Sequence, residues 1–207
     1  MIELICIRHG RTAWNADLRF QGHTDVPLDA HGRGQALLLA ASLRETELSG
    51  AVSSDLVRCS ETARIVLDEH PGVPLRLDAD LREMAFGAWE GLTWAQIVKT
   101  DPTLALEGWS HPNSYAPPGG ERFRDAIERA SRAVERIREE TPDPGRVLVV
   151  THAGILHALL RVVLGEAEAE RISIRFTPGG ITRFSLEGGT GRLITLNEPA
   201  AARSLER

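Results

Sequence analysis

Two short apolar runs, far apart in the chain, constrain the fold most. Ile2-Glu3-Leu4-Ile5-Cys6-Ile7 stops at Arg8-His9-Gly10, and Val147-Leu148-Val149-Val150 stops at Thr151-His152-Ala153-Gly154. Runs of this length, rich in β-branched residues and bounded by polar ones, read as buried strands. Each then delivers an imidazole to one edge of a sheet, and in an open α/β sheet ligands bind beyond the carboxyl ends of the strands. Gly10 is expected to let the backbone turn away after His9.

The intervening sequence alternates strand and helix patterns. Residues 11–29, with Gly, Asn, Asp and Pro, read as an extended loop. Leu37, Leu38 and Ala41 fall at helical spacing and predict a helix over 30–46. Ala51-Val52-Ser53 is a short strand, and Asp55 is a ready N-cap for a helix running to Glu69. Pro71-Gly72 breaks that helix, and 74–77 is another short strand. A short helix over 93–99 leads into a stretch rich in Pro, Gly and aromatics that ends at Pro117-Pro118-Gly119-Gly120. Long irregular stretches in compact domains are usually functional, so 93–120 is expected to be lid-like, with Trp109 and Tyr115 lining it or pinning it down. Phe123, Ala126, Ile127, Ala130, Val134 and Ile137 mark an amphipathic helix to about residue 140. Residues 155–164 read as a further helix. Residues 171–176, 181–186 and 192–196 read as strands joined by turns at Gly179-Gly180 and Gly188-Gly189. The alternation predicts an α/β fold with a largely parallel sheet and an antiparallel hairpin edge, a single domain over 1–198 and a loose tail over 199–207.

Composition narrows the function. Of 207 residues, 42% are hydrophobic and 26% charged, which is globular. The formal charge of −5 gives no electrostatic footprint for nucleic acid, so none is expected as a partner. No stretch reaches membrane-spanning length, and the N-terminal apolar run is too short for a secretory core. A cytoplasmic protein without a membrane partner is expected. Cys6 and Cys59 lack any metal or redox spacing and read as structural thiols. Lys99 is the single lysine among 24 basic residues. Biased codon usage accounts for such a bias, while arginine forks also suit phosphate; placement has to decide.

Arg58 sits early in the helix after the strand at 51–53, and Glu83 follows the short strand at 74–77 by a few residues. Two His, two Arg and one Glu therefore converge on one rim. Two guanidiniums and a helix N-terminus match a phosphoryl group. They also disfavour imidazolium, biasing His9 toward its neutral, nucleophilic form. A neutral imidazole can attack phosphorus and split one displacement into two. Arg8, Arg58 and a protonated or donating His152 would hold the transferring group, and Glu83 would protonate the leaving oxygen and then activate water.

Here the chain resembles a known family. Arg8-His9-Gly10-Arg11-Thr12-Ala13-Trp14-Asn15, Gln21-Gly22, Ser53-Ser54-Asp55-Leu56-Val57-Arg58-Cys59-Ser60-Glu61-Thr62-Ala63, Leu81-Arg82-Glu83 with Gly87 and Glu90-Gly91, and Val150-Thr151-His152-Ala153-Gly154 resemble the histidine phosphatase superfamily, phosphoglycerate mutase-like branch. The resemblance implies a three-layer α/β/α sandwich and a phosphohistidine on His9, with Arg8, Arg58 and His152 on the phosphoryl group and Glu83 as proton donor. It implies no metal and no cofactor, with a small phosphomonoester as the partner. It also places Asn15 and the Gln21-Gly22 backbone beside the phosphate or substrate. His23 is a candidate for the substrate's other end, or a solvent-facing loop histidine. Mutases of this kind carry an adjacent arginine pair after the acid. Between Gly91 and Gly120 this chain has Lys99 alone, and Glu90-Gly91-Leu92 replaces the mutases' Gln-Gly-Leu; both favour a phosphatase. Pro118-Gly119-Gly120-Glu121 is phosphatase-like too. Glu121 is expected to start its helix rather than meet substrate, Trp89 and Trp94 to pack, and His31, His70, His111 and His157 to hold surface or packing positions.

Overall fold

The computed structural model describes residues 1–100, 102–110, 115–188 and 190–200, without the side chains of 104, 108–110 and 190. His111, the Trp109 side chain, Gly189 and the last seven residues of the expected tail lie outside the described residues. The strands are β1 (Ile2–Arg8), β2 (Gly50–Ser53), β3 (Leu75–Leu77), β4 (Gly145–Thr151), β5 (Ile181–Glu187) and β6 (Thr190–Glu198). They form one sheet in the order β3-β2-β4-β1-β5-β6. The first four are mutually parallel where they pair, and β5 runs antiparallel to both β1 and β6. β1 and β4 run side by side from Ile2 opposite Gly145 to Arg8 opposite Thr151. That register brings His9 and His152 to the same rim.

The helices are α1 (Ala13–Ala16), α2 (Ala30–Leu43), α3 (Val57–Leu67), α4 (Trp94–Thr100), α5 (Pro102–Ser110), α6 (Phe123–Glu140), α7 (Ala153–Leu164) and α8 (Glu166–Ala169). Side chains alternate across a strand, so β1 feeds two cores. Leu4 and Cys6 pack with Ala126, Ala130 and Val134 of α6 and Leu156 and Leu159 of α7. Ile5 and Ile7 pack with Leu39 and Leu43 of α2 and Ala63 and Val66 of α3. The result is a three-layer α/β/α sandwich. A third cluster, Trp89, Ile97 and Ala105 with Phe20, Phe86 and Tyr115 against it, holds α4 and α5 to the loop after β1.

Five sequence readings need correction. Helix α2 buries Ala36, Leu39, Ala40 and Leu43, whereas Leu37, Leu38 and Ala41 face solvent. Asp55 does not cap α3; its carboxylate takes both forks of Arg82, and Asp25 accepts from Val57 N at the start of α3 instead. Residues 171–176 join no strand: β5 fills that side of β1, and the segment is pinned by Arg8 Nη1 donating to Phe176 O at 2.6 Å. Residues 102–110, expected to be irregular, form α5; a short helix, α1, interrupts the expected loop at 13–16.

Candidate active site

His9 N donates to Thr151 O (3.0 Å), extending the β1–β4 ladder by one residue and burying the imidazole at 2% exposure. Its Nδ1 lies 2.7 Å from Gly10 O. A carbonyl only accepts, so Nδ1 carries the proton and the Nε2 lone pair is left available. Gly10 serves a purpose other than the expected turn. A Cβ there would stand 2.4 Å from Gly32 O, so glycine is required because α2 approaches the end of β1. Gly10 N in turn donates to Thr62 Oγ1 (3.2 Å) on α3, whose hydroxyl donates to Arg58 O.

The His152 ring, fully buried, stands 5.1 Å from that of His9, edge to face. Arg58 Nε donates to His152 Nδ1 (3.2 Å), which assigns the other proton to Nε2, 2.9 Å from Ser54 Oγ. His152 is therefore neutral, with both nitrogens engaged by protein, and it supports Arg58 from behind. Burial keeps it far below the usual imidazole range, with Arg58 and then His9 adding to the effect. Burial first, then Arg58 and Arg8, likewise holds His9 neutral. Cys59 Sγ, 3.3 Å from His152 Nε2, stays a thiol because burial pushes it up.

Arg58 has no exposed surface. Its Nη1 and Nη2 donate to Thr24 O (3.0 Å) and Gly22 O (2.7 Å). Of the five guanidinium N–H groups, three are thus used and two remain for a ligand. Arg8 spends one on Phe176 O, and its buried Nε has no partner among the described residues. Glu83, at the turn after β3, accepts from Met84 N (3.0 Å) and Gly154 N (3.0 Å) at the start of α7. Arg129 of α6 fixes that turn, donating to Glu83 O, Arg82 O and Asp80 O and pairing with Glu121 at 2.6 Å.

A cavity of about 520 Å³ opens on this group, lined among others by Arg8, His9, Asn15, Gln21, Arg58 and Glu83. Asn15 and Gln21 are held in place through Thr12: its hydroxyl donates to Gln21 Oε1 at 3.0 Å, and Asn15 Oδ1 accepts from Thr12 N at 3.1 Å. Gly22 and His23 do not line the cavity. Gly22 supplies the carbonyl that holds Arg58. It has φ +53°, and a Cβ there would meet Glu90 Oε1 at 2.0 Å. His23 is exposed on its loop, as the solvent-facing reading has it, with its Nε2 2.8 Å from Glu83 O. Glu121 neither starts α6 nor meets the phosphate cavity; it accepts from Ala85 N and pairs with Arg129. The cavity also recruits Arg19, Phe86, His157 and Arg175, none of which follows a strand end, where the sequence signal lay.

The buried imidazoles make stability depend on pH. His157 is held down to about 4 by burial, with Arg161 next, and His9 and His152 also lie well below the usual value. Unfolded histidine takes its proton near pH 6.5. Below that pH the unfolded chain binds more protons than the folded one, so stability falls as pH drops from about 6.5 toward 4. Each such histidine adds a slope of up to about 1.4 kcal/mol per pH unit. Asp55, held low first by its bond from Arg82, loses its contribution only below the usual carboxylate range, so the two windows separate. Urea melts at pH 7, 6 and 5 are expected to show falling midpoints, and His157→Leu to flatten the trend; equal midpoints would contradict the assignment.

The family model for the histidine phosphatase superfamily, branch 1, matches residues 4–199. A glucosyl-3-phosphoglycerate phosphatase of Mycobacterium tuberculosis is 37% identical over 169 residues, 78% of this chain and 75% of its own. A 2,3-bisphosphoglycerate-dependent phosphoglycerate mutase 2 of Gloeobacter violaceus is 31% identical over 181 residues, 85% of this chain and 83% of its own. Among solved structures, Bacillus stearothermophilus YhfR superimposes with a TM-score of 0.85 at 33% identity, covering 96% of this chain and 98% of its own.

Proposed function

Because this chain belongs to the histidine phosphatase superfamily, branch 1, we propose that it is a metal-independent phosphatase acting on small phosphomonoesters through a phosphohistidine on His9. The observation that carries the proposal is the fixed tautomer of His9: Nδ1–H is tied to Gly10 O, and His9 lines a cavity with two guanidiniums and one carboxyl. In the first step Nε2 attacks phosphorus, the P–O ester bond breaks, and protonated Glu83 passes its proton to the leaving oxygen. In the second, the Glu83 carboxylate takes a proton from water, the water oxygen bonds to phosphorus, and the P–N bond breaks to restore neutral His9. The free donors of Arg8 and Arg58 hold the non-bridging oxygens through both steps. Asn15 and Gln21 border the substrate, and His152 keeps Arg58 aimed. Helices α4 and α5 cover the approach as the lid-like part of the domain.

A mutase would share the phosphoenzyme and return the group to substrate. The single lysine lies exposed near the end of α4 and lines neither the phosphate cavity nor the aromatic one beside it, which favours release to water. The expected result is steady release of inorganic phosphate from simple monoesters after exhaustive chelation, with an acid-labile phosphoprotein trapped on quenching. Isomerisation of phosphoglycerate without phosphate release would establish the mutase instead, and activity lost on chelation and restored by metal would refute the metal-independent route.

A further inference from the structure

A second cavity, of about 380 Å³, adjoins the catalytic one, and the two share Phe20, Phe86 and His157 as a wall. Its lining is mostly aromatic. Phe20 and Phe86 meet edge to face at 5.0 Å, Trp89 and Trp94 do so at 6.3 Å, and Tyr115 stacks on Trp89 at 6.0 Å. The charged groups on its wall are engaged elsewhere. Glu121 pairs with Arg129, while Arg161 pairs with Glu166 and lies over the Phe123 ring at 4.7 Å. His157 is neutral above about pH 4. With Arg161 spent on Glu166 and the Phe123 ring, the aromatic rings of this lining favour a flat apolar group over a second anionic end of a substrate.

Glu83 stands at the junction. Its carboxyl lines the phosphate cavity, while the residues whose N–H groups hold it, Met84 and Gly154, line the aromatic one. In-line attack by His9 places the leaving oxygen opposite the imidazole, beside the proton donor. The rest of the leaving group then extends past Glu83 into the aromatic space. An apolar cavity of about 150 Å³ already admits benzene, so this one accommodates one or two fused rings.

We propose that the aromatic cavity is the leaving-group subsite and that the substrate class is a phosphomonoester of an alcohol bearing an aromatic ring a short link from the ester oxygen. The proposal rests on the phosphatase reading above. Benzyl phosphate and ethyl phosphate test it, because their leaving alcohols are of similar acidity and differ in the ring. The expected kcat/KM for benzyl phosphate is about tenfold or more above that for ethyl phosphate, in line with the apolar area buried. Trp94→Ala and, separately, Tyr115→Ala are expected to lower this ratio, with ethyl phosphate turnover reporting that each variant is folded. A ratio near one with both esters hydrolysed would overturn the subsite and leave the phosphatase intact. A ratio unchanged in both variants would overturn its location. Hydrolysis of neither ester would overturn the phosphatase reading itself.

Discussion

His9→Ala is expected to lower phosphate release by on the order of 10⁴-fold or more and to abolish acid-labile phosphate on the protein. The reasoning is geometric. Two neutral imidazoles line the cavity, and of these His9 has its Nδ1–H tied to Gly10 O and stands beside Arg8 and Arg58, whereas His157 packs edge to face on Phe176 at the wall shared with the aromatic cavity. Cys59 is a buried thiol and does not line the cavity. His152 uses both nitrogens on Arg58 and Ser54 and lies behind the cavity wall. Binding should survive, because the Arg8 and Arg58 donors remain; inorganic phosphate titrated into the variant should still raise its melting temperature, by mass action on the folded state. Retained turnover in His9→Ala, or labelled phosphate on another residue, would remove the mechanism while leaving the anion site standing.

The residues legible in sequence were those whose neighbours along the chain carried their signal. His9, His152 and Arg58 follow strands that are short, apolar and unambiguous, and the register of β1 on β4 does the rest. Glu83 carries a weaker mark, since a carboxylate a few residues after a three-residue strand stands out only in company with the other four residues of the rim. What stayed hidden depends on contacts between distant segments. His157 sits on the inward face of α7 and shows in sequence as one polar residue in an apolar helix, yet folding places it on the wall between two cavities. Glu121 and Arg129 are eight apart on and before α6, beyond the spacing of helix pairs, so their bond could not be read. Leu37 and Leu38 outweigh Ala36 and Ala40 in hydrophobicity and so mark the outer stripe of α2, although small residues suit the closely approached inner face. One missed signal was present: Pro102 is the first residue of α5, a position proline favours.

Arg58→Met is expected to cost on the order of 10²–10³ in kcat/KM, as loss of preorganised donors to transferring oxygens does elsewhere, and to move the acid limb of the pH–rate profile upward. The two effects have separate causes. The guanidinium supplies donors to the phosphoryl group, and its charge is the largest influence after burial holding both His9 and His152 neutral. Without that charge His9 takes a proton at higher pH, and protonated imidazole cannot attack, so activity is lost earlier as pH falls. The variant should also be less stable. Gly22 O, Thr24 O and His152 Nδ1 lose their donor, at about 1–3 kcal/mol for each group left buried and unpaired. Arg58→Lys separates the two roles. An ammonium keeps the charge, so the acid limb should stay near that of the parent protein, but one point donor cannot serve two carbonyls, a ring nitrogen and a phosphoryl group together, so the rate should stay low. A lysine variant with full activity would show that charge alone suffices. A methionine variant whose acid limb did not move would show that burial alone sets the state of His9, and the positive wall behind the nucleophile would have no part in activating it.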